Sequence, residues 1–597
     1  MFQWVAELLP PPYGRCFLQA RGCIYTQKIT LMKTNGIIML GLSVALFGAC
    51  SSDENIDNNQ GLKGDEAYVS LSIALPTSSR GTRANDGYDK GKEEEYNVED
   101  LKIVYFTKPA SATEDSYDDY EVVSIKDVNK SDLTWTPSSN GITTVATLPV
   151  QKVNKSVNAV LVLINNQVLN TIADGTKFSD LNKALALDNI TSLTTKNRTA
   201  DYFFMSNSPL SDGTTLVPVT AYPREEVAKA NTKAVYVERA VAKVSFDKGN
   251  LTDNGGNWEV IPQDPYTNDK VVFTSWALDV TNKKEFPVRK YDKQWNDVRA
   301  DKAPTNYRFL AATILESGKQ RTYWATDPNY DSSIMPVYTN GVVDKDKSTD
   351  FNYIAASDVT TAMATPAYCT ENTFDVTHMK QGETTRVIVK AQYQPQTQLE
   401  DGLNTTDFQA GTTWYRVGNS AKACNDTKLK EKVLAAVMTV TPGATAVNLV
   451  ADKIVAGEQK DFSKEMFTVT DGTATDREMT DEELTAVQNA LGKLTVFKGG
   501  ICYYVARIRH FDDNQLGGAW DGTDYTQGAS DDNRKNFLGR YGIVRNNWYQ
   551  LTINSVSAPG TPTIPIPGDT PDDEQNYYLQ TTVKIMDWAV RKQGLDF

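Results

Sequence analysis

The sequence predicts a mainly β protein of two sandwich-like β domains with a few short helices. Most apolar runs either alternate with polar residues or are rich in valine, isoleucine, threonine, tyrosine and phenylalanine, as strands are. Clusters of glycine, asparagine, aspartate and proline separate these runs, while helical spacing of apolar residues is rare. The chain has 597 residues, which is long enough for more than one domain. Its residues are 40% hydrophobic and 23% charged, as in an ordinary globular protein.

The first predicted strand covers residues 68–75, whose sequence YVSLSIAL alternates strictly. Because successive side chains of a strand point to opposite faces, one face of this strand is apolar. The residues of that face are Val69, Leu71, Ile73 and Leu75. Ser70 and Ser72 occupy the other face, which predicts that they face solvent and that the strand lies at the edge of its sheet.

The same patterns predict further strands along the chain and two helices. The strands are 101–106, 142–150, 157–164, 234–246, 271–280, 385–393, 414–417, 433–440, 493–497, 501–511 and 547–556. The helices are 178–187 and 480–491, the second with Thr480 and Glu483 in capping-box positions and Gly492 just beyond its end.

A domain boundary is predicted where the strand at 234–246 runs into the polar, turn-rich sequence DKGNLTDNGGN. It separates an N-terminal β-sandwich domain at 84–250 from a C-terminal one at 251–557. No fixed-period repeat is evident, which disfavours a solenoid or a propeller.

The N-terminal region has the features of an export signal. Residues 36–49 form the apolar run GIIMLGLSVALFGA, preceded by Lys33, which is typical of a signal peptide and too short for a membrane span of roughly 20 residues. Its end resembles a bacterial lipobox, which predicts cleavage after Ala49 and lipidation of Cys50. The alternative is a plain secretory signal with an incidental cysteine. We assign 32–49 to the signal peptide and expect 1–31 to be an over-extended start of the gene.

Two arginines, Arg80 and Arg83, follow the first strand within the sequence PTSSRGTRANDG. This composition, rich in glycine and serine, is typical of an exposed loop that a trypsin-like protease can enter. Cleavage there would separate the first strand from the rest of the chain.

The C-terminal residues form a strand-like segment behind a proline-rich one. Residues 558–576 contain APGTPTIPIPGDTPDD, and closely spaced prolines favour an extended, semi-rigid spacer. Residues 577–597 begin with a strand-like run at 577–588. The residues on one face of that run are Leu579, Thr581, Val583 and Ile585.

A strand held away from its domain would expose apolar side chains and unpaired amides unless it pairs elsewhere. A cleavable first strand and a detachable last strand therefore fit strand addition between subunits. Proteolysis would remove the first strand, and the last strand of a neighbouring copy would fill the groove. Such a head-to-tail contact generates filaments. The alternative is that both ends complete the same sheet in a monomer, and the residues alone do not decide between the two.

The sequence contains no recognised catalytic or cofactor motif. Nucleophile-elbow, phosphate-loop, dinucleotide-binding and HExxH patterns are missing, and the only histidines are His378 and His510. A net charge of −14 argues against nucleic-acid binding, which needs a basic surface. Cys369 can form a disulfide with Cys424, or both can remain buried thiols, as can Cys502. We therefore predict a protein that is not an enzyme, with no catalytic residue, cofactor or metal site.

Several segments resemble the fimbrillins of Bacteroidales surface fimbriae (type V pili), and specifically the major subunit of the short fimbria. The order of the segments along the chain adds to the resemblance. The most specific segment is RNNWY at 545–549. The other segments are the lipobox at Cys50, Arg83 with Ala84, VERAVAKV at 237–244, GICYYV at 500–505, YGIV at 541–544 and the strand after the proline spacer.

The resemblance implies two transthyretin-like β-sandwich domains and a structural role in adhesion at the cell surface. It implies an outer-membrane lipoprotein precursor, cleaved by an arginine-specific protease after Arg83, with Arg80 as the alternative, so that 50–83 form a propeptide. The mature subunits would polymerise by donor-strand exchange with copies of themselves and with accessory fimbrial subunits, using 577–597 as the donor strand.

Two other functions compete with a polymerising stalk subunit. The first is a tip or accessory adhesin of the same fold, which needs to accept a strand but not to donate one, so the spaced last strand counts against it. The second is a surface glycan-binding lipoprotein, and the scarcity of helical spacing in this sequence counts against that class.

Overall fold

The computed structural model describes the chain from residue 64 onwards, with gaps. The described residues are 64–75, 95, 97–112, 116–137, 144–169, 171–187, 190–196, 200–291, 310–316, 319–322, 324–330, 336–472, 475–510, 537–572, 579–587 and 590–591. All of them belong to one unit, Gly61–Phe597. Strands predominate among them, which confirms a mainly β fold.

The N-terminal part of the described chain is built around one mixed sheet. Its strands are β1 (Glu66–Val69), β2 (Leu71–Leu75), β3 (Leu101–Thr107), β4 (Glu121–Val128), β5 (Thr134–Pro137), β6 (Thr144–Thr147), β7 (Gln151–Asn154), β8 (Ala159–Ile164), β9 (Leu185–Ala186), β10 (Thr195–Lys196), β11 (Ala200–Asp201), β12 (Met205–Asn207), β13 (Val217–Pro218) and β14 (Lys233–Arg239). Nine of them form a sheet in the order β4-β3-β8-β12-β14-β2-β6-β5, with β13 beside β8. The apolar run AVLVLI of the interior strand β8 is buried throughout, so both faces of the sheet are covered at this strand.

The C-terminal part contains two larger sheets and several short ones. Its strands are β15 (Ala242–Asp247), β16 (Thr252–Asn254), β17 (Asn257–Val260), β18 (Lys270–Asp279), β19 (Thr281–Asn282), β20 (Lys284–Glu285), β21 (Leu310–Glu316), β22 (Lys319–Thr322), β23 (Tyr338–Thr339), β24 (Val342–Val343), β25 (Phe351–Asn352), β26 (Ala367–Cys369), β27 (Arg386–Gln394), β28 (Trp414–Val417), β29 (Ala446–Leu449), β30 (Gly457–Lys460), β31 (Phe467–Thr470), β32 (Asp476–Glu478), β33 (Leu494–Phe497), β34 (Ile501–Arg507), β35 (Asn547–Val556), β36 (Leu579–Asp587) and β37 (Val590–Arg591). The sheets β26-β15-β35-β36-β37 and β16-β17-β18-β27-β34 both contribute to one apolar cluster, so they face each other across a shared core.

Helices are short and few among the described residues. The α-helices are α1 (Phe178–Leu181), α2 (Thr191–Thr194), α3 (Glu225–Ala230), α4 (Asp426–Val437) and α5 (Asp481–Leu491). Short 3-10 turns occur at Lys130–Asp132, Pro328–Tyr330, Ala356–Asp358, Thr405–Asp407, Lys464–Met466 and Lys498–Gly500. None of the described helices is long and apolar enough to cross a membrane.

The helix predicted at 480–491 is confirmed as α5. The Thr480 hydroxyl accepts a hydrogen bond from the backbone N–H of Glu483, whose carboxylate accepts one from the Thr480 N–H. The helix predicted at 178–187 is too long, since only α1 forms. The Asn182 side chain exchanges two hydrogen bonds of 2.8 Å with the backbone of Val288, which holds the chain in a different path after the first turn.

The strand predicted at 433–440 is wrong, because residues 426–437 form helix α4. Asn425 caps this helix by accepting a hydrogen bond from the backbone N–H of Lys428. Its buried residues are Leu429, Val433, Ala436 and Val437, which follow the helical period. With α5 and two three-stranded sheets, α4 forms a separate apolar cluster within residues 415–496, which the sequence analysis did not predict.

The single strand predicted at 234–246 is two strands, β14 and β15, in two different sheets. The first apolar cluster runs to Val241 and has only Val288 beyond it among its buried residues, whereas the second begins at Ala242. The change of core therefore falls inside the predicted strand and before the predicted boundary at 250. The division into two domains at that boundary stays a prediction.

Candidate strand-exchange site

The first predicted strand is an interior strand of the N-terminal sheet. β2 pairs in parallel with β14, with Leu71 opposite Lys233. On its other side it pairs antiparallel with β6, with Leu75 opposite Thr144. The predicted edge position is therefore wrong. The alternation within residues 68–75 could not reveal this, because the parallel neighbour is distant in sequence.

Ser70 marks the point at which the first strand changes partners. The preceding strand, β1, pairs with β7, whereas β2 pairs with β14 and β6. The Ser70 hydroxyl lies 2.8 Å from the hydroxyl of Thr232, and its carbonyl accepts a hydrogen bond from the N–H of Lys233. Ser70 is consequently only 3% exposed and Ser72 is half-buried, so the predicted solvent exposure of this face is wrong.

The apolar face of the first strand lies in the core. Val69, Leu71, Ile73 and Leu75 are 2%, 0%, 0% and 4% exposed. Burying four side chains of this size stabilises the fold by roughly 6–12 kcal/mol. That contribution is comparable with the whole free energy of unfolding of a typical domain, about 5–15 kcal/mol. If the strand were withdrawn, it would leave an apolar groove between β6 and β14.

The predicted processing positions Ala49, Cys50, Arg80 and Arg83 lie outside the described residues. The chain is described again at Glu95, whose carboxylate lies 2.6 Å from the Lys243 ammonium in β15 and accepts a hydrogen bond from the Tyr368 hydroxyl in β26. The backbone carbonyl of Glu95 accepts a hydrogen bond from Arg239 Nε. Glu95 thus fixes the chain beyond the two arginines to the sheet that carries β35. Sequence reasoning missed this residue, because none of its partners is near it in sequence.

The last strand lies in a different sheet from the first. β36 pairs antiparallel with β35, from Val556 opposite Leu579 to Asn547 opposite Asp587. On its other side it has only the two-residue strand β37. The alternative in which both ends complete the same sheet of the monomer is therefore wrong, since β2 and β36 belong to two sheets.

Three positions of the predicted donor face lie opposite buried residues of β35. Thr581, Val583 and Ile585 have Ile553, Leu551 and Tyr549 as their respective Cα partners. Each of these β35 side chains is at most 2% exposed, so β36 runs along the edge of the second apolar cluster.

The proline-rich segment before the last strand is docked on the body of the protein, and we call residues 558–572 the strap. Seven backbone hydrogen bonds join it to the rest of the chain: Tyr503 with Thr561 in both directions, Val343 N–H to Pro567, Gly382 N–H to Gly568, Asp569 N–H to Gly341, Gln381 N–H to Thr570 and Asp572 N–H to Met379. The expectation that these residues stand away from their domain is wrong. Proline lacks a donor but not an acceptor, and Pro567 accepts through its carbonyl.

The RNNWY segment leads into β35, pairs with two buried carboxylates of the C-terminal part and contacts the N-terminal part through Arg239. Nη2 of Arg545 lies 2.6 Å from a carboxylate oxygen of Glu285 and 2.6 Å from one of Glu371. The amide oxygen of Asn546 accepts from the backbone N–H and the guanidinium of Arg239 in β14. Asn546 has φ +61°, a left-handed conformation that asparagine tolerates better than most residues. The motif thus positions the strand on which the last strand lies.

Burial changes the pKa of several groups in this junction. Desolvation raises the pKa of Glu285 well above its usual value, with Arg545 acting in the opposite direction. Desolvation also raises the pKa of Asp327 to about 7, although Asn329 and Thr373 donate hydrogen bonds to its carboxylate. Burial therefore holds the pKa of both carboxyl groups above that of an exposed carboxyl group.

Cys369, Cys424 and Cys502 are free and buried, so the disulfide between Cys369 and Cys424 does not form. Desolvation raises the pKa of Cys424 and of Cys502 to about 12, which keeps both thiols protonated and unreactive. These cysteines are packing residues.

Residues 495–594 match a family model described as "Major fimbrial subunit protein type IV, Fimbrillin, C-terminal". The match covers β34, the RNNWY segment, β35, the strap and β36. It confirms the predicted resemblance to the fimbrillins. No curated protein matches the chain in sequence.

Three solved structures of surface proteins are similar to this chain at low identity. A proposed cell adhesion protein from Parabacteroides distasonis is 12% identical, with 87% of this chain and 96% of that chain covered and a TM-score of 0.34. A proposed cell adhesion protein from Bacteroides eggerthii is 10% identical, with 88% and 97% covered and a TM-score of 0.29. A fimbrial assembly protein from Parabacteroides distasonis is 14% identical, with 60% and 94% covered and a TM-score of 0.25. Similarity at this level does not define a function.

Proposed function

We propose that the protein is a structural subunit of a cell-surface fimbria, on the premise that its residues 495–594 match the fimbrillin family model. The subunit is exported as a lipoprotein precursor, is cleaved by an arginine-specific protease and polymerises by donor-strand exchange. The last strand of one copy fills the groove that the first strand of the next copy has left, and the resulting fibre serves adhesion.

The single observation that carries this proposal is the interior position of β2. A strand paired on both sides leaves two rows of free backbone groups when it is removed, one on β14 and one on β6. Unpaired backbone groups in an apolar groove are costly, because water cannot replace the lost partners. The cleaved subunit should therefore bind an added strand tightly and specifically.

The last strand is suited to be the donor because it lies at the end of its sheet. β36 can leave β35 without splitting the sheet, since only β37 lies beyond it. The donor face consists of Leu579, Thr581, Val583 and Ile585.

Cleavage gives the exchange its direction. In the precursor the first strand is tethered beside its own groove, and the high effective concentration lets it compete with any incoming strand. Cleavage after Arg83, or after Arg80, removes the tether. Before that step the lipid on Cys50 holds the precursor at the outer membrane, and release from this anchor coincides with activation.

The processing step is tested by replacing both arginines. The Arg80→Ala, Arg83→Ala double variant should remain an uncleaved monomeric precursor after incubation with an arginine-specific protease. A matched control is Lys90→Ala, Lys92→Ala, which removes two basic residues shortly after Arg83 and should be cleaved and polymerise normally. The measurement is unboiled gel electrophoresis, in which heat-labile oligomers form a ladder. Fibre formation by the arginine variant would refute processing at these positions.

A further inference from the structure

We propose that the strap stays bound to its own subunit when the last strand leaves, so that the surface around the strap is the face that meets the next copy of the chain. This inference rests on the proposed strand exchange and adds to it the point at which the chain leaves one subunit. The face consists of the strap and the hairpin β23–β24, which are joined by the Val343–Pro567 and Gly341–Asp569 backbone hydrogen bonds.

Buried polar contacts favour a strap that remains in place. Asp572 at its end is 3% exposed, and its carboxylate accepts a hydrogen bond from the Thr384 hydroxyl. The guanidinium of Arg386 donates to the carbonyl of Pro565 and pairs with Asp279 at 2.7 Å, and both charged residues are buried. Undocking the strap would expose these groups and break seven backbone hydrogen bonds, whereas removing β36 requires none of these changes.

The length of chain after the strap limits where the next subunit can lie. Asp572 is fixed, and the last strand begins at Leu579. Seven residue steps span at most about 25 Å when fully extended. The mouth of the acceptor groove on the next copy must therefore lie within that distance of Asp572.

Exposed apolar side chains occur on this face. Val337 and Val342 are each 38% exposed, and Ile566 in the strap is 51% exposed. They are three of the seven large hydrophobic residues that are exposed in the described part of the chain. Residues of this kind favour contact with another protein surface, and the reach from Asp572 makes a second copy the partner.

A disulfide that locks the strap tests the first part of the inference. Lys380 and Pro571 are antiparallel partners, and the hydrogen bonds Gln381 N–H to Thr570 and Asp572 N–H to Met379 flank them. They therefore form the closely spaced kind of pair, with Cα atoms about 4.5 Å apart, which suits a disulfide. The oxidised Lys380→Cys, Pro571→Cys variant, once cleaved by an arginine-specific protease, should polymerise to the same extent as its reduced form.

A second lock separates failure of this inference from failure of the proposed function. Thr552 and Thr582 are partners between β35 and β36, so oxidised Thr552→Cys, Thr582→Cys holds the last strand on its own subunit. This variant should remain monomeric until it is reduced. If it polymerises while oxidised, strand donation is refuted. If both locks prevent polymerisation when oxidised, donation stands and the docked strap is refuted.

Charged substitutions test the contact face. Val342→Lys combined with Ile566→Lys should lower the initial rate of polymerisation at least fivefold, because two lysines would be desolvated in the joint. Ile261→Lys is the matched control, since Ile261 is 74% exposed and lies on neither the strap nor the hairpin. Equal rates for the double variant and the control would overturn the assignment of this face.

Discussion

The predicted first and last strands both have an apolar face, but β2 and β36, which they form in the structure, have opposite positions in the fold. β2 lies between two strands inside its sheet, whereas β36 lies at the end of another sheet with only a two-residue strand beyond it. Removing an interior strand creates a groove with two hydrogen-bonding edges, and removing an end strand leaves the sheet intact. In the proposed exchange, this difference suits the first strand for replacement and the last strand for donation.

Deletion of the last strand should have the largest effect, because it removes the strand that is proposed to be donated. A chain without residues 577–597 should fold and be cleaved but form no polymer, because it cannot donate a strand. Deletion of residues 592–597 alone is the control, since it keeps β36 and β37. The measurements are size-exclusion chromatography and electron microscopy of the cleaved proteins. Fibres of normal length from the longer deletion would contradict the donor assignment.

Replacement of Arg545 tests the support beneath the last strand. Arg545→Met should lower the free energy of unfolding by about 3–5 kcal/mol, because it leaves the buried carboxylates of Glu285 and Glu371 without their cation. Lys493→Met is the control, since the Lys493–Asp461 pair is exposed and worth about 1 kcal/mol or less. Denaturant unfolding gives both values, and losses of similar size would show that the buried junction contributes no more than a surface pair.

Shortening one buried side chain of the first strand tests whether cleavage removes this strand from the subunit. Ile73→Ala should destabilise the precursor by about 2–5 kcal/mol, because Ile73 is fully buried. In the cleaved subunit the same substitution should have no effect, since the strand has been removed. Val455→Ala, at a residue that is 47% exposed, should leave both forms nearly unchanged. An equal loss of stability in precursor and cleaved protein would mean that the first strand is retained.

Titration of the buried junction has the smallest expected effect per measured step, because the change is spread over the pH range between the ordinary pKa of Asp327 and about 7. The pKa of Asp327 is raised to about 7 in the folded protein, so between its ordinary value and about 7 the folded state binds more protons than the unfolded state. Stability should therefore fall as pH rises through this range, by roughly 1 kcal/mol per pH unit. Asp327→Asn should flatten the slope of unfolding free energy between about pH 5 and 7. An unchanged slope in this variant would assign the effect to another group.

Much of the strand content was predictable because it depends on local pattern. The predictions at 414–417 and 547–556 coincide with β28 and β35, and 101–106 differs from β3 by one residue. The errors occurred where distant residues decided the outcome. Residues 433–440 contain β-branched side chains, yet the helix there packs against α5 in a cluster formed by residues far along the chain.

The candidate site was only partly predictable. Its apolar faces followed from alternation, and the RNNWY segment followed from a family resemblance. Neither Glu95 nor the docking of the strap could be predicted, since both depend on partners from other elements, such as Lys243 for Glu95 and Met379 for Asp572. A glutamate or a proline-rich run carries no local signal for such contacts.

The sequence by itself determined that the chain is mainly β, that its ends carry apolar strands, and that its C-terminal region resembles the fimbrillins. Only the tertiary structure decided that the first strand is interior, that the last strand lies in a different sheet and that the strap is bound to the body. The physical reason is that alternation specifies which face of a strand is buried, whereas its neighbours are selected by hydrogen bonds and packing between residues far apart in sequence.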